Sequence, residues 1–339
     1  MITDLVYIGR FQPLHDEHLR VIEYALQQVD HVVLVLGSYN VPSSSKNPFS
    51  PRDRTQMILN AVSDPGRISI VYSNDYPYDW GLWEDQIIYE VQEAVLDELN
   101  RGLSVRLHGL DQRNIGLLCP RKDEETSEYL DLFKCWEHVE VPVKDPISAT
   151  SVRKQMFTGS TVTNVPPSTL AAIEKLPNLA ELAAEFQYIE DYKKMWASAP
   201  FPPMFITVDN VVVHRGRVLL VKRGGQPGKG LWALPGGFHE VGQTLQNSAL
   251  RELREETTLE NIEEYVVSTK AFDNPTRSTL GVLVTHAFYY DIPYSITPPL
   301  VRGQDDATHA EWVYIDELDP RLMHDDHYWI IHDMLGIGY

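Results

Sequence analysis

Residues 236–256 constrain this chain most: Gly236-Gly237-Phe238-His239-Glu240-Val241-Gly242-Gln243 is followed, seven residues later, by Arg251-Glu252-Leu253-Arg254-Glu255-Glu256. A glycine turn followed by this charge pattern predicts an amphipathic helix. Glu255 and Glu256 lie three and four residues beyond Glu252, so the three carboxylates share one stripe of the helix, while Leu245, Ala249 and Leu253 share another that faces a core. Like charges so close repel one another, and a hard divalent cation bound through oxygen relieves the repulsion. Acidic helix faces are ordinarily plain solvated surface. The Leu234-Pro235-Gly236-Gly237 turn in front and Arg251 within the cluster argue against that alternative.

A chain of 339 residues exceeds one typical core, and at roughly 150 residues per domain it predicts about two. The run Ala199-Pro200-Phe201-Pro202-Pro203 marks the boundary. We expect one domain over residues 1–188, a helical and proline-rich linker over 189–203, and a second domain over 204–339. The net charge of -19 argues against nucleic acid as a partner, because affinity for a polyanion comes mainly from Lys and Arg neutralising phosphates. Cys119 and Cys135 have no CxxC spacing, so a disulfide scaffold or a cysteine zinc site is not expected and a reducing cytoplasm is the default. The first residues carry no basic stretch ahead of an apolar one, and no apolar run reaches the ~18 residues of a membrane span. A soluble cytoplasmic protein with no membrane partner is expected, and a homo-oligomer is compatible with the chain.

In the first half, short apolar runs alternate with helical spacing. Leu5 to Ile8 ends in Gly9, and Leu19, Ile22, Leu26 and Val29 follow at helical intervals. His31 to Leu36 is apolar throughout but for its first residue, as in a strand buried on both faces of a parallel sheet. Further strands are expected at 68–72, 105–107 and 138–143, with helices at 83–99 and 170–196. The fold class is therefore α/β: a Rossmann-like open parallel sheet covered by helices. After the proline cluster, paired strands at 205–213 and 217–221, the acidic helix, and strands at 282–290 and 310–314 make an α+β module.

Ligands of open parallel sheets sit at the carboxyl ends of strands, where Gly9-Arg10-Phe11-Gln12-Pro13-Leu14-His15-Asp16-Glu17-His18 falls. His15 and His18 are three apart in the first turn of a helix, so both can face an anion at its positive end. Paired surface histidines and half of a metal site are the competing readings. Ile147-Ser148-Ala149-Thr150-Ser151-Val152-Arg153 adds hydroxyls, backbone N–H groups and a guanidinium at the start of another helix.

With Asn47-Pro48-Phe49, Arg54, the 75–83 loop from Asp75 to Trp83, Lys122-Asp123, Tyr129 and Trp136, these residues make the first half resemble a nicotinamide mononucleotide adenylyltransferase of the archaeal type, also found in some bacterial two-domain proteins. The resemblance covers about residues 4–190. It implies a nucleotidyltransferase that joins nicotinamide mononucleotide to the adenylyl group of ATP with Mg²⁺, giving NAD and pyrophosphate. It further implies that Gly9, Arg10, Phe11, Gln12, Asn47, Arg54, Asp75, Trp83, Lys122, Asp123, Ser148 and Thr150 bind the nucleotides. His15, His18 and Arg153 act at the triphosphate. Trp83 can stack on the cationic nicotinamide ring, with a core or rim aromatic as the alternative. One departure stands out: Glu17 occupies the place where the family usually has glycine. A carboxylate there would repel the triphosphate unless it turns away or meets metal, so a functional transferase, at most weakened, is expected.

The second half resembles the Nudix hydrolases over about residues 203–339. That resemblance implies metal ligation by Glu252, Glu256 and the Gly236 carbonyl, with Glu255 supporting a further ion or the water, and Mg²⁺ or Mn²⁺ as cofactor. Phe272-Asp273-Asn274-Pro275 with Arg277 is similar to the branch acting on ADP-ribose, which would be cut to AMP and ribose 5-phosphate. Gln243 stands where the box normally has glutamate and is expected to hydrogen-bond Arg251. Thr258 replaces the glycine after the helix, where positive φ is easiest. Asp305 and Asp306 are the candidates for a general base, with plain acidic surface as the commoner reading of two such loop residues. The combined expectation is a bifunctional enzyme of NAD metabolism. Its rivals are an adenylyltransferase with a catalytically weak nucleotide-sensing module, and a DNA-binding regulator, which the charge and the lack of a basic recognition helix oppose.

Overall fold

A computed structural model of the chain describes residues 1–100, 114–120, 128–144, 147–294 and 298–338. The expected strand at 105–107 and the residues Lys122 and Asp123 lie outside these. The chain divides into two compact units, Met1–Ala183 and Ala184–Tyr339.

The first unit is built on a five-stranded parallel sheet. Its strands β1 (Asp4–Gly9), β2 (His31–Leu36), β3 (Ile68–Tyr72), β4 (Ile115–Cys119) and β5 (Glu137–Glu140) are ordered β3-β2-β1-β4-β5. The order reverses at β1, which places a crevice outside its carboxyl end. Helices α1 (Asp16–Gln28), α2 (Pro51–Leu59), α3 (Trp80–Asn100) and α4 (Ala149–Phe157) complete the αβ layers. Every residue of β2 is buried, as its apolar run predicts. Val6, Ile8, Val33, Val35 and Leu117 pack against Ile87, Val91 and Val95 of α3. At the amino ends of the strands, His31 joins three of them, with Nδ1 2.8 Å from Asp4 Oδ1 and Nε2 2.9 Å from Ser69 Oγ.

Strand β4 carries a weak signal because Gly116 interrupts a short apolar run, and glycine weakens a strand pattern. The glycine is there for space: a Cβ would come within 2.9 Å of Ile2 and 3.0 Å of Leu5. The helical stretch expected over 170–196 is two helices, α5 (Pro167–Glu174) and α6 (Leu179–Met195). Pro177 lies between them and cannot donate to a continuing helix.

In the second unit a mixed sheet runs β10-β11-β6-β7-β12, with β8 added to β7 and β9 to β6. Its strands are β6 (Met204–His214), β7 (Arg217–Arg223), β8 (Trp232–Ala233), β9 (Gly236–Phe238), β10 (Val266–Phe272), β11 (Val282–Asp291) and β12 (Ala307–Tyr314). Arg215 and Gly216, at φ 53° and 73°, turn β6 into β7, the left-handed pair that a two-residue hairpin requires. Helix α7 (Leu245–Thr257) covers one face, seating Ala249 and Leu253 against Val208, Val212, Leu219, Phe288 and Tyr290. Helix α8 (His327–Leu335) packs near β10 and buries Trp329, Ile330 and Ile331. Strand β10 shows little in the sequence because only Phe272 is buried along it. An α/β parallel-sheet unit followed by a mixed-sheet unit is the expected fold class. No helix among the described residues is long and apolar enough to cross a membrane.

Candidate active sites

At the carboxyl end of β1 the chain turns sharply, with Phe11 at φ 50° and its buried ring folded back on Gly9. A Cβ at Gly9 would approach that ring to 3.1 Å. Gln12 is buried and pairs with the Phe49 backbone through both amide ends, at 2.9 and 3.0 Å. The loop then enters α1 with His15 as its N-cap, and His15 Nδ1 accepts from the His18 backbone N–H at 3.3 Å. A ring nitrogen that accepts carries no proton, so neutral His15 holds its proton at Nε2. The two imidazoles stack with centroids 3.5 Å apart. Helix α4 begins nearby: Ser148 caps it by accepting from Ser151 N. Arg153 is buried and donates to the Gln12 carbonyl at 2.7 Å and to Thr150 Oγ1 at 3.1 Å. Burial, with the charge of Arg10 alongside, brings Arg153 down to about 10, so it stays cationic at neutral pH. Arg10 is exposed and reaches Asn47 Oδ1 at 3.4 Å. Paired histidines, two arginines and two capped helix starts thus surround one strand end.

Other expected residues stand further back. Arg54 is fully buried and donates to the carbonyls of Arg10 (2.8 Å), Gly37 (2.6 Å) and Ser38 (3.3 Å), which ties the ends of β1 and β2 together from beneath. Asp75 accepts from Ser38 N and Ser38 Oγ at 3.1 and 2.8 Å, and its own N–H donates to Asn40. Trp83 is half-buried among Trp80, Tyr129 and Phe133 with edge-on ring contacts of 5.5–5.9 Å, and Trp80 is the more exposed of the two tryptophans. Glu17 turns away from the strand end. Its carboxylate is 3% exposed, takes Arg20 at 2.6 and 2.9 Å, and accepts from Lys144 N at 3.2 Å. The charge of the carboxylate is thereby offset by Arg20.

In the second unit, β9 pairs with β6 so that Asp209 opposes Gly236 and Val208 opposes Gly237. The two glycines therefore point to opposite faces of the sheet. A Cβ on Gly237 would lie 2.7–2.8 Å from the Glu252 carboxylate, and one on Gly236 would strike the Val208 carbonyl and lie 2.7 Å from Asp209 Oδ1. Glu256 is buried and accepts from Gly236 N at 2.9 Å. Burial pushes its pKa up to about 8, and the charges of Glu252 and Asp209 push the same way. Burial also raises Glu252, to which Asp305 adds, so Asp305 lies within electrostatic reach of the acidic stripe. Arg251 bridges Glu252 and Glu255, at 2.7 Å to each. Among the described residues no three His, Cys, Asp or Glu side chains converge closely enough to hold a metal ion. The guanidinium instead sits as a stand-in cation on two of the three carboxylates. These groups are all hard oxygen donors, which fit Mg²⁺ or Mn²⁺.

The expected bond from Gln243 to Arg251 does not form. Gln243 Nε2 donates to Glu240, its Oε1 accepts from Ser248 Oγ at 3.2 Å, and Glu240 is the residue that lies 3.3 Å from Arg251 Nε. Thr258 does take the left-handed conformation, φ 65°, with its N–H on Arg254 O. The last carbonyls of α7 are capped from a distance, Glu256 O by Gln304 N and Thr257 O by Arg302 N. Arg277 is buried and bidentate on Asp326 at 2.8 and 2.9 Å, with Asp209 4.0 Å away. His327 Nδ1 accepts from Leu234 N at 2.8 Å; burial lowers its pKa and keeps it neutral. Of this polar layer beneath the glycine turn only Arg277 was expected from the sequence, because Asp209, Asp326 and His327 have no local motif.

A Cytidylyltransferase-like family model matches residues 6–155, and a NUDIX domain model matches residues 204–334. The nicotinamide/nicotinic acid mononucleotide adenylyltransferase of Acinetobacter baylyi is 35% identical over 166 residues, covering 48% of this chain and 80% of that protein. The ADP-ribose pyrophosphatase of Methanocaldococcus jannaschii is 35% identical over 130 residues, covering 38% of this chain and 72% of that protein. Among solved structures that span both halves, a bifunctional NMN adenylyltransferase/ADP ribose pyrophosphatase from Francisella tularensis, complexed with AMP and a Mn ion, is 31% identical, with a TM-score of 0.86 and 99% of each chain covered. The chain belongs to this bifunctional family. As an NMN adenylyltransferase/ADP-ribose pyrophosphatase it departs from the usual motifs at Glu17, Gln243 and Thr258, and each departure has a local accommodation: an ion pair, a relayed carboxylate and a left-handed cap.

Proposed function

We propose that residues 1–188 transfer the adenylyl group of ATP to nicotinamide mononucleotide, giving NAD and pyrophosphate. Residues 204–339 hydrolyse ADP-ribose to AMP and ribose 5-phosphate, with 189–203 as linker, in a cytoplasmic enzyme. The observation that carries the reading is that both units bring their charged motif onto backbone that a diphosphate can approach: the His15-capped start of α1 beside Arg10 and Arg153, and β9 lying on Glu252 and Glu256.

In the first reaction a 5′-phosphate oxygen attacks the α-phosphorus of ATP and the bond to the bridging oxygen of pyrophosphate breaks. The nucleophile is competent as it stands, so the protein needs to align the reactants and neutralise the leaving charge. His15 through Nε2–H, His18, Arg10 and Arg153 do this, aided by the starts of α1 and α4. Gly9 and Phe11 shape the turn. Gln12, Arg54, Asp75 and Ser148 hold it, while Asn47, Thr150 and Trp83 line it, with Lys122 and Asp123 assigned by resemblance.

In the second reaction water attacks a phosphorus of the diphosphate. Glu252, Glu255, Glu256 and the Gly236 carbonyl would hold Mg²⁺, which supplies an acidified water and charge shielding when bound. The hold of Arg251 on Glu252 and Glu255 favours a second reading, a sensing module that binds ADP-ribose without turnover. Purified protein given ATP, nicotinamide mononucleotide and Mg²⁺ should yield NAD, and given ADP-ribose should release AMP and ribose 5-phosphate. Glu256→Gln should abolish only the second activity. His15→Asn keeps a helix cap but lacks the Nε2 donor, and should lower only the first, by about 10²-fold. Binding of ADP-ribose without AMP release would favour the sensor.

A further inference from the structure

Gln243 brings no charge to a position where the family box has glutamate, yet the loop before α7 still presents a carboxylate to Arg251. The Gln243 amide is fixed at both ends, donating to Glu240 Oε2 and accepting from Ser248 Oγ at 3.2 Å. Ser248 is fully buried and also anchors the His239 ring at 2.9 Å and Glu240 N at 3.3 Å, so residues 239–243 are pinned to the first turns of α7. Within that pinned loop, the Glu240 oxygen held by Gln243 lies 3.3 Å from Arg251 Nε. The two terminal nitrogens of the guanidinium grip Glu252 and Glu255, at 2.7 Å each.

We infer that Glu240, oriented by Gln243, is the positioning residue for Arg251, and that it retains the guanidinium when Glu252 and Glu255 turn to a divalent cation. The inference rests on the reading that these glutamates bind metal. A guanidinium and a metal ion compete for the same oxygens, and Arg251 is largely covered, with 22% of its side chain exposed. Leaving a covered cation without a carboxylate is costly. A third carboxylate that is not itself a metal ligand reduces that cost and so favours metal binding. The charge that the box lost at 243 is supplied from three residues upstream.

The test is Mn²⁺ binding to the full chain by titration calorimetry, without substrate. Glu240→Gln should raise the Mn²⁺ Kd about two- to fivefold, the range expected of a partly exposed ion pair. Glu240→Gln combined with Gln243→Glu should return the Kd to the wild-type value. In an Arg251→Gln background, Glu240→Gln should have no further effect, since the coupling passes through the arginine. An unchanged Kd in Glu240→Gln overturns the inference. So does an equal loss with and without Arg251, which would make Glu240 a distant charge acting directly on the ion. If the Arg251→Gln protein does not fold, the charge-transfer variant decides alone, and failure to recover there is refuting. The parent reading fails separately, if Mn²⁺ binding survives Glu252→Gln with Glu256→Gln unaltered.

Discussion

Thr258→Gly isolates one backbone conformation from everything around it. Thr258 is exposed and ends α7 at φ 65°, ψ 4°, a region that costs a residue with a Cβ about 1–2 kcal/mol. Glycine would remove that cost but bring greater freedom to the unfolded chain, which returns roughly 0.4–1 kcal/mol. The net expectation is a gain of about 0.5–1 kcal/mol. For a unit of this size that is a rise in Tm of roughly 1–4 °C. The measurement is thermal unfolding followed by ADP-ribose protection, which reports on the second unit, with Thr258→Ala as the control. Alanine keeps the Cβ and the strain, so its Tm should stay near that of the wild type. A Tm that falls in Thr258→Gly, or rises equally in Thr258→Ala, would refute the argument that the helix end is strained.

The remaining expectations concern side chains. Gly237→Ala should fold, because the group it meets is the flexible end of Glu252, but ADP-ribose hydrolysis should drop at least tenfold with NAD synthesis intact. Gly236→Ala meets the Val208 carbonyl instead and should show lost stability in urea denaturation. Glu17→Gln should leave the KM for ATP within twofold while costing about 1–3 kcal/mol of stability, since the carboxylate serves Arg20 and Lys144 rather than the nucleotide; a markedly lower KM would contradict this. In the metal-free protein Glu256 ionises near 8 against an ordinary 4.5. Its raised value means that its stabilising contribution is complete below pH 4.5 and is lost as pH rises towards 8, on the order of a few kcal/mol. Glu256→Gln should flatten the urea midpoint across that window.

What could be read from the sequence was what lies close together in it. The shared stripe of Glu252, Glu255 and Glu256 follows from helix geometry alone, and that of Ala249 and Leu253 does face the core, whereas His15, expected within the first turn, is the extended N-cap of α1 and meets His18 through the cap bond. Partners separated along the chain gave no such signal. The Arg277–Asp326 pair spans 49 residues, and Leu234 N meets His327 across 93. Glu240 was hidden for a different reason. A carboxylate displaced three residues from its usual place looks like surface until the loop conformation brings it to Arg251. Arg54 was assigned to the nucleotide by the resemblance alone, and no local pattern announces that its two terminal nitrogens hold the carbonyls of Arg10, Gly37 and Ser38.

That engagement has an electrostatic consequence. The carbonyls of Arg10, Gly37 and Ser38, just past the ends of β1 and β2, would otherwise turn lone pairs towards an incoming polyanion. Buried Arg54 donates to all three oxygens and offsets their partial negative charge. On the proposed reading a triphosphate would meet a less negative floor between positive walls, and Arg54 would help to set how strongly it is held.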